Sequence, residues 1–177
     1  MQAIASVLDD PWRDRAETLW GELKALFRLP ALAGVTAPHI VYQSAAAYDP
    51  GRIGSALAAL AAGLRPFEIE TEGVGIFAGE RTVLYLAVHR GPALMSAHRR
   101  VLTTAMPLAT EPREAYAART WIPHITLAAG RLDAGDVERV AEYLRSREAR
   151  WRIPVTNITF IPDTSSIEGW QRFELAH

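Results

Sequence analysis

Two tetrapeptides of the chain share one frame: Pro38-His39-Ile40-Val41 and Pro123-His124-Ile125-Thr126. An extended strand sends residues i and i+2 to one face, so Thr126 stands beside His124 while Ile125 points into a core. Two imidazoles facing each other suit in-line displacement at phosphorus. One, neutral, removes a proton from the attacking oxygen; the other, protonated, donates one to the leaving oxygen. Histidine fills either role near pH 7 without a large shift of its pKa. The Thr126 hydroxyl can hold a non-bridging phosphate oxygen. A single His-Ile-Thr strand reads more readily as a half-buried structural histidine. The recurrence alters that weighing, because a duplication kept only for packing needs no titratable group at both places.

The elements around the two strands follow one plan twice. Alternation over 2–8 predicts a buried strand. Asp10-Pro11 then caps an amphipathic helix over 11–28, with Trp12, Ala16, Leu19, Trp20, Leu23 and Phe27 at helical spacing. Pro30 and Gly34 punctuate its end, and residues 40–44 read as the first histidine strand. Asp49-Pro50 opens a second helix ending near Gly63. After Pro66, Phe67, Ile69 and Thr71 alternate with Glu68, Glu70 and Glu72, which predicts an antiparallel sheet with one wet face. A strand over 82–89, a helix over 92–105, a polar loop over 107–121 and the second histidine strand over 122–129 come next. A helix capped by Asp133 and Asp136 follows, then strands near 151–161 and 166–175.

Pro11 and Pro92, His39 and His124, Asp49 and Asp133 all recur 81 to 85 residues apart. That is an internal duplication. It predicts one bilobal domain over 1–177, with repeat halves of about 1–79 and 81–162 and a final strand over 166–175. The fold class is α+β: two pseudo-symmetric lobes whose mainly antiparallel sheets face a central cleft, with helices outside.

Composition narrows the chemistry. The 177 residues carry 19 Lys and Arg against 20 Asp and Glu, a net charge of -1, and no cysteine. Balanced charge argues against extended, non-specific coating of nucleic acid. Without cysteine there is no disulfide scaffold, thiolate metal site or thiol nucleophile. The sequence contains no phosphate-loop, dinucleotide or zinc-protease motif, and its carboxylates do not cluster, so neither metal nor cofactor is expected. Gly73-Val74-Gly75 reads as a strand bulge. The most apolar run, 56–64, is too short to span a bilayer. A cytoplasmic protein without membrane contact is expected.

With both histidine tetrapeptides, the repeat and the length in view, the chain resembles the 2H phosphoesterase superfamily, which contains the RNA 2′,3′-cyclic phosphodiesterases also called 2′-5′ RNA ligases. The resemblance implies a bilobal α+β fold and metal-free acid–base chemistry on a cyclic phosphate or in the reverse ligation. Carried over residue by residue, it names His39, His124 and Thr126. It also implies a small cyclic phosphate or an RNA 3′ end as substrate. Val41 departs from the pattern, since the family has Thr or Ser there and a valine donates nothing to phosphate. That leaves two readings open, a cyclic phosphodiesterase and a nucleotide- or RNA-end-binding protein that has lost turnover. Gln43, two residues along the same strand, is a candidate substitute donor. Arg119 and Trp121 are candidates for steering phosphate and stacking a base. His98, on an apolar helix face, reads as a core histidine.

Overall fold

The computed structural model describes residues 1–27, 37–130, 134–147 and 150–176. Pro30, Gly34, Asp133 and His177 lie outside the described residues. The first half comprises β1 (Gln2–Val7), α1 (Trp12–Phe27), β2 (His39–Tyr48), α2 (Ile53–Ala62) and β3 (Phe67–Phe77). The second comprises β4 (Thr82–Val88), α3 (Pro92–Ala105), β5 (Ala109–Pro112), β6 (His124–Gly130), α4 (Ala134–Arg145), β7 (Arg152–Val155), β8 (Asn157–Ile161) and β9 (Gln171–Glu174).

The strands form two antiparallel sheets, of order β5-β2-β1-β8-β9 and β6-β4-β3-β7. Each sheet therefore takes strands from both halves of the sequence. β3, from the first half, pairs with β4, while β8, from the second, pairs with β1. The helices exchange likewise: α1 packs on β6, and α3 on β2. The lobes are thus not the sequence halves, and neither half closes a core without the other.

One apolar core lies behind both sheets. Ile4, Ile40 and Tyr42 of the first sheet join Leu84, Leu86, Ile125 and Leu127 of the second, together with Leu19, Leu57 and Val101 of the helices. The alternation along β3 is as the sequence predicts, with Ile69 and Thr71 buried and Glu68, Glu70 and Glu72 exposed. The bulge expected at the glycines is present at Glu72, where the β3–β4 register slips and Gly73 takes φ +128°.

Two segments differ from the sequence reading. The loop over 107–121 contains β5 and two short 3₁₀ turns, Met106–Leu108 and Glu114–Tyr116. β5 is only four residues, without alternation to betray it, and exists because β2 offers an edge from Ala45 onward. The single strand expected over 151–161 divides at Thr156, where the chain leaves the second sheet as β7 and joins the first as β8.

Asn157 completes that joint. Its side-chain amide donates to the Val7 carbonyl at 2.8 Å, and its Oδ1 accepts from the Val7 N–H at 3.0 Å. Thr159 Oγ1 donates to the same Oδ1 at 2.9 Å. The side chain thereby continues the β1–β8 ladder past Ala5, where main-chain pairing stops.

Candidate active site

β2 begins at His39 and β6 at His124. Their partners across the strand are Val7 and Ala87, and Val41 and Thr126 in turn oppose Ala5 and Tyr85. Immediately afterwards both strands bulge at the same place: Tyr42 and Leu127 are skipped in the register. A bulge inserts one residue and so exchanges the faces beyond it. Ile40, Tyr42, Ile125 and Leu127 belong to the core, and His39, Val41, His124 and Thr126 stand on the opposite face.

The bulge decides the fate of Gln43. Strict alternation would set it beside Val41. Instead it pairs with Ile4, whose side chain is in the core, and its amide donates to Met106 Sδ. Gln43 is 1% exposed and is not a substitute donor on the histidine face.

Each imidazole is anchored the same way. His39 Nδ1–H donates to the Ala37 carbonyl at 2.6 Å, and His124 Nδ1–H donates to the Ile122 carbonyl at 2.8 Å. A carbonyl only accepts, so both rings carry the neutral-state proton on Nδ1 and present a lone pair on Nε2. Among the described residues neither Nε2 has a hydrogen-bond partner. Burial lowers the His39 pKa against the opposing effect of the Ala37 carbonyl, and positive charge on His124 lowers it further. Burial likewise lowers His124, opposed by the Ile122 carbonyl. The rings are thus electrostatic neighbours, and β2 contacts β6 directly. One proton on the pair is easier to hold than two.

The walls around the two rings differ. Behind His39 lie Ala3, Ala5, Val41, Ile161 and Trp170, with the Trp170 ring edge-on to His39 at 6.3 Å. Around His124, Phe77 and Tyr85 stack on each other at 4.2 Å, with centroids 5.0 and 5.2 Å from the imidazole. Tyr85 can lie there because residue 75 is glycine; a Cβ would come within 2.3 Å of the ring carbons. Sequence reasoning does not reach Phe77 or Tyr85 as site residues. The available signal was Gly75, facing an aromatic residue across two antiparallel strands.

Trp121 is no stacking platform for a substrate. It is 1% exposed, lies 3.8 Å from the His98 ring in a parallel stack, and donates its indole N–H to the Val41 carbonyl at 2.9 Å. Its size and the apolar wall of α3 favour burial over exposure. Arg119 sits exposed in the turn just before it. His98 is a core histidine as expected: its Nε2–H is shared between the Tyr42 and Tyr116 carbonyls, and burial lowers its pKa. Among the described residues no three His, Asp or Glu side chains form a metal-ligand group, and no helix is long and apolar enough to cross a membrane.

The sequence model of the 2′-5′ RNA ligase superfamily matches residues 8–165. The chain belongs to that superfamily. No match was found among curated proteins. Among solved structures, the chain is similar to Usb1 of Kluyveromyces marxianus, determined with uridine monophosphate. The TM-score is 0.50 at 10% identity, covering 98% of each chain, a likeness of fold over the whole length. The two-lobed 2H phosphoesterase fold expected from the histidine strands is therefore the fold of this chain. Within it, this member has the hydroxyl at Thr126 and the apolar substitution at Val41.

Proposed function

We propose that the chain is a metal-independent cyclic phosphodiesterase acting on 2′,3′-cyclic phosphate ends of RNA or on small cyclic nucleotides. What carries the reading is the matched anchoring of His39 and His124, which leaves two unpartnered Nε2 atoms on electrostatically coupled rings. One Nε2, unprotonated, takes a proton from water as its oxygen bonds to phosphorus. The other, protonated, gives its proton to the ribose oxygen as the P–O bond breaks. The product is a phosphomonoester, and the pair keeps one proton throughout. Thr126 Oγ1 donates to a non-bridging oxygen. Arg119 is the exposed cation that steers the phosphate toward the cleft. On the same reading 1–177 is one catalytic domain and its halves are copies of one unit, which the equivalent bulges at Tyr42 and Leu127 support.

Hydrolysis of a 2′,3′-cyclic nucleotide in the presence of EDTA tests this directly. Turnover that EDTA abolishes, or none together with no binding, overturns it.

The apolar wall at Val41 favours one alternative, a nucleotide- or RNA-end-binding protein without turnover. Val41→Thr separates the two. A hydrogen bond to a charged group contributes roughly 1.5–3 kcal/mol, so the restored hydroxyl should raise kcat/KM about tenfold to a hundredfold in an active parent. A silent parent that binds the cyclic nucleotide and gains turnover with Val41→Thr is instead the degenerate binder.

A further inference from the structure

The two bulges leave main-chain carbonyls that no strand covers. β6 is the edge of its sheet, and β2 is paired on its outer side by β5 only from Ala45 onward. In both motif strands the carbonyl two residues after the histidine accepts from an indole. Trp20 Nε1–H donates to the Thr126 carbonyl at 3.0 Å, and Trp121 Nε1–H to the Val41 carbonyl at 2.9 Å. The second of these bonds does more than satisfy an acceptor. Trp121 begins the run Trp121-Ile122-Pro123-His124, in which Ile122 supplies the carbonyl that anchors the His124 ring. One end of this short run is tied to β2 beside His39; the other carries the second imidazole. Trp121 is itself held flat against His98, whose Nε2–H bonds the neighbouring Tyr42 carbonyl. Both successive carbonyls of the first bulge are thereby clamped, by two rings stacked on each other.

We propose that Trp121 is a positioning residue: its indole N–H, bonded to the Val41 carbonyl, sets the separation of His39 and His124 across the cleft. The inference rests on the two-histidine reading of the site for its kinetic consequence and on geometry alone for its structural one. A proton relay depends steeply on placement, since a shift of about 1 Å can cost 10²-fold in rate. The indole stacks on His98 rather than on the His39 or His124 ring and is buried, so its loss acts through the strands.

Trp121→Phe removes the N–H and keeps a ring for the His98 stack. Replacement by the benzothienyl analogue of tryptophan removes only the N–H and keeps the shape, which guards against a misfolded phenylalanine variant. In either variant kcat for a 2′,3′-cyclic nucleotide should fall about tenfold or more, with KM within about twofold. Unchanged kcat in a folded variant overturns the proposal, even if stability drops. A second readout needs no turnover. By NMR, the His39 titration midpoint should rise on His124→Gln, because the charge that lowers it is gone. With Trp121→Phe that rise should shrink as the rings part, and an equal rise in both backgrounds overturns the brace whatever the rates do. If the parent hydrolyses no cyclic nucleotide, the phosphodiesterase reading fails, while this comparison still decides on the brace.

Discussion

On the proposed mechanism, His39→Ala and His124→Ala should each lower kcat/KM for 2′,3′-cyclic nucleotide hydrolysis by about 10²–10⁴-fold, the range that a positioned general acid or base contributes. The magnitude follows from the division of labour. With one Nε2 gone, either the water keeps its proton or the ribose oxygen leaves as a high-energy alkoxide. No neighbour takes over, since among the described residues neither ring is hydrogen-bonded to a carboxylate. The double variant should be little worse than either single one, because the two rings act as one relay. Stability should change little, since each ring's hydrogen bond goes to a local carbonyl two residues upstream. Full hydrolysis by both single variants, measured under the same conditions as the parent, would remove the mechanism.

On the same mechanism the pair also sets the pH dependence. Burial lowers both imidazoles from the ordinary value of 6.5, and each ring's local carbonyl only partly opposes this. Above its lowered midpoint the acid loses the proton it must donate; below the other midpoint the base gains one it must lack. The kcat/KM profile of the free enzyme should therefore be a bell with its maximum on the acid side of pH 6.5. A flat profile from pH 5 to 8, or one rising steadily to pH 8, contradicts the assignment.

Asn157→Ala should be the most damaging small substitution outside the histidines. It strips the Val7 N–H and carbonyl of their partners and leaves Thr159 Oγ1 without its acceptor. Each buried polar group left unsatisfied costs about 1–3 kcal/mol, so the change should destabilise by about 3 kcal/mol or more. In a chain of this size that lowers Tm by roughly 6–12 °C. Denaturant melts check it, with the midpoint moving at constant slope. A loss below about 1 kcal/mol would mean that water replaces the amide. Because Val7 opposes His39 across the strand, turnover should fall alongside stability.

Where the sequence was legible, the signals were local. Helical spacing in α1 and α3, alternation in β1 and β3, and the punctuation at Pro66 and Pro92 each report on a few consecutive residues. So does the frame Pro-His-Ile around His39 and His124, which places each ring at the start of a strand. Gln43 and Trp121 depart from their sequence expectation for the opposite reason. Gln43 lies one residue past a bulge, and a single inserted residue exchanges every face beyond it. Trp121 sits in a polar loop, where exposure is the natural expectation. It is buried because α3 and β2 meet beneath it, an encounter between segments far apart in the chain.

The sequence by itself determined the two matched Pro-His-Ile frames and most of the elements that bear them, because residue type and short-range periodicity are properties of the chain alone. Only the tertiary structure decided how the halves share their strands, which residues lie on each face past the bulges, and that each imidazole is anchored through Nδ1 to a carbonyl two residues upstream. The first two outcomes depend on pairings between residues distant in sequence. Their free energy is gained only when both partners are already in place, so no short stretch of residues encodes them.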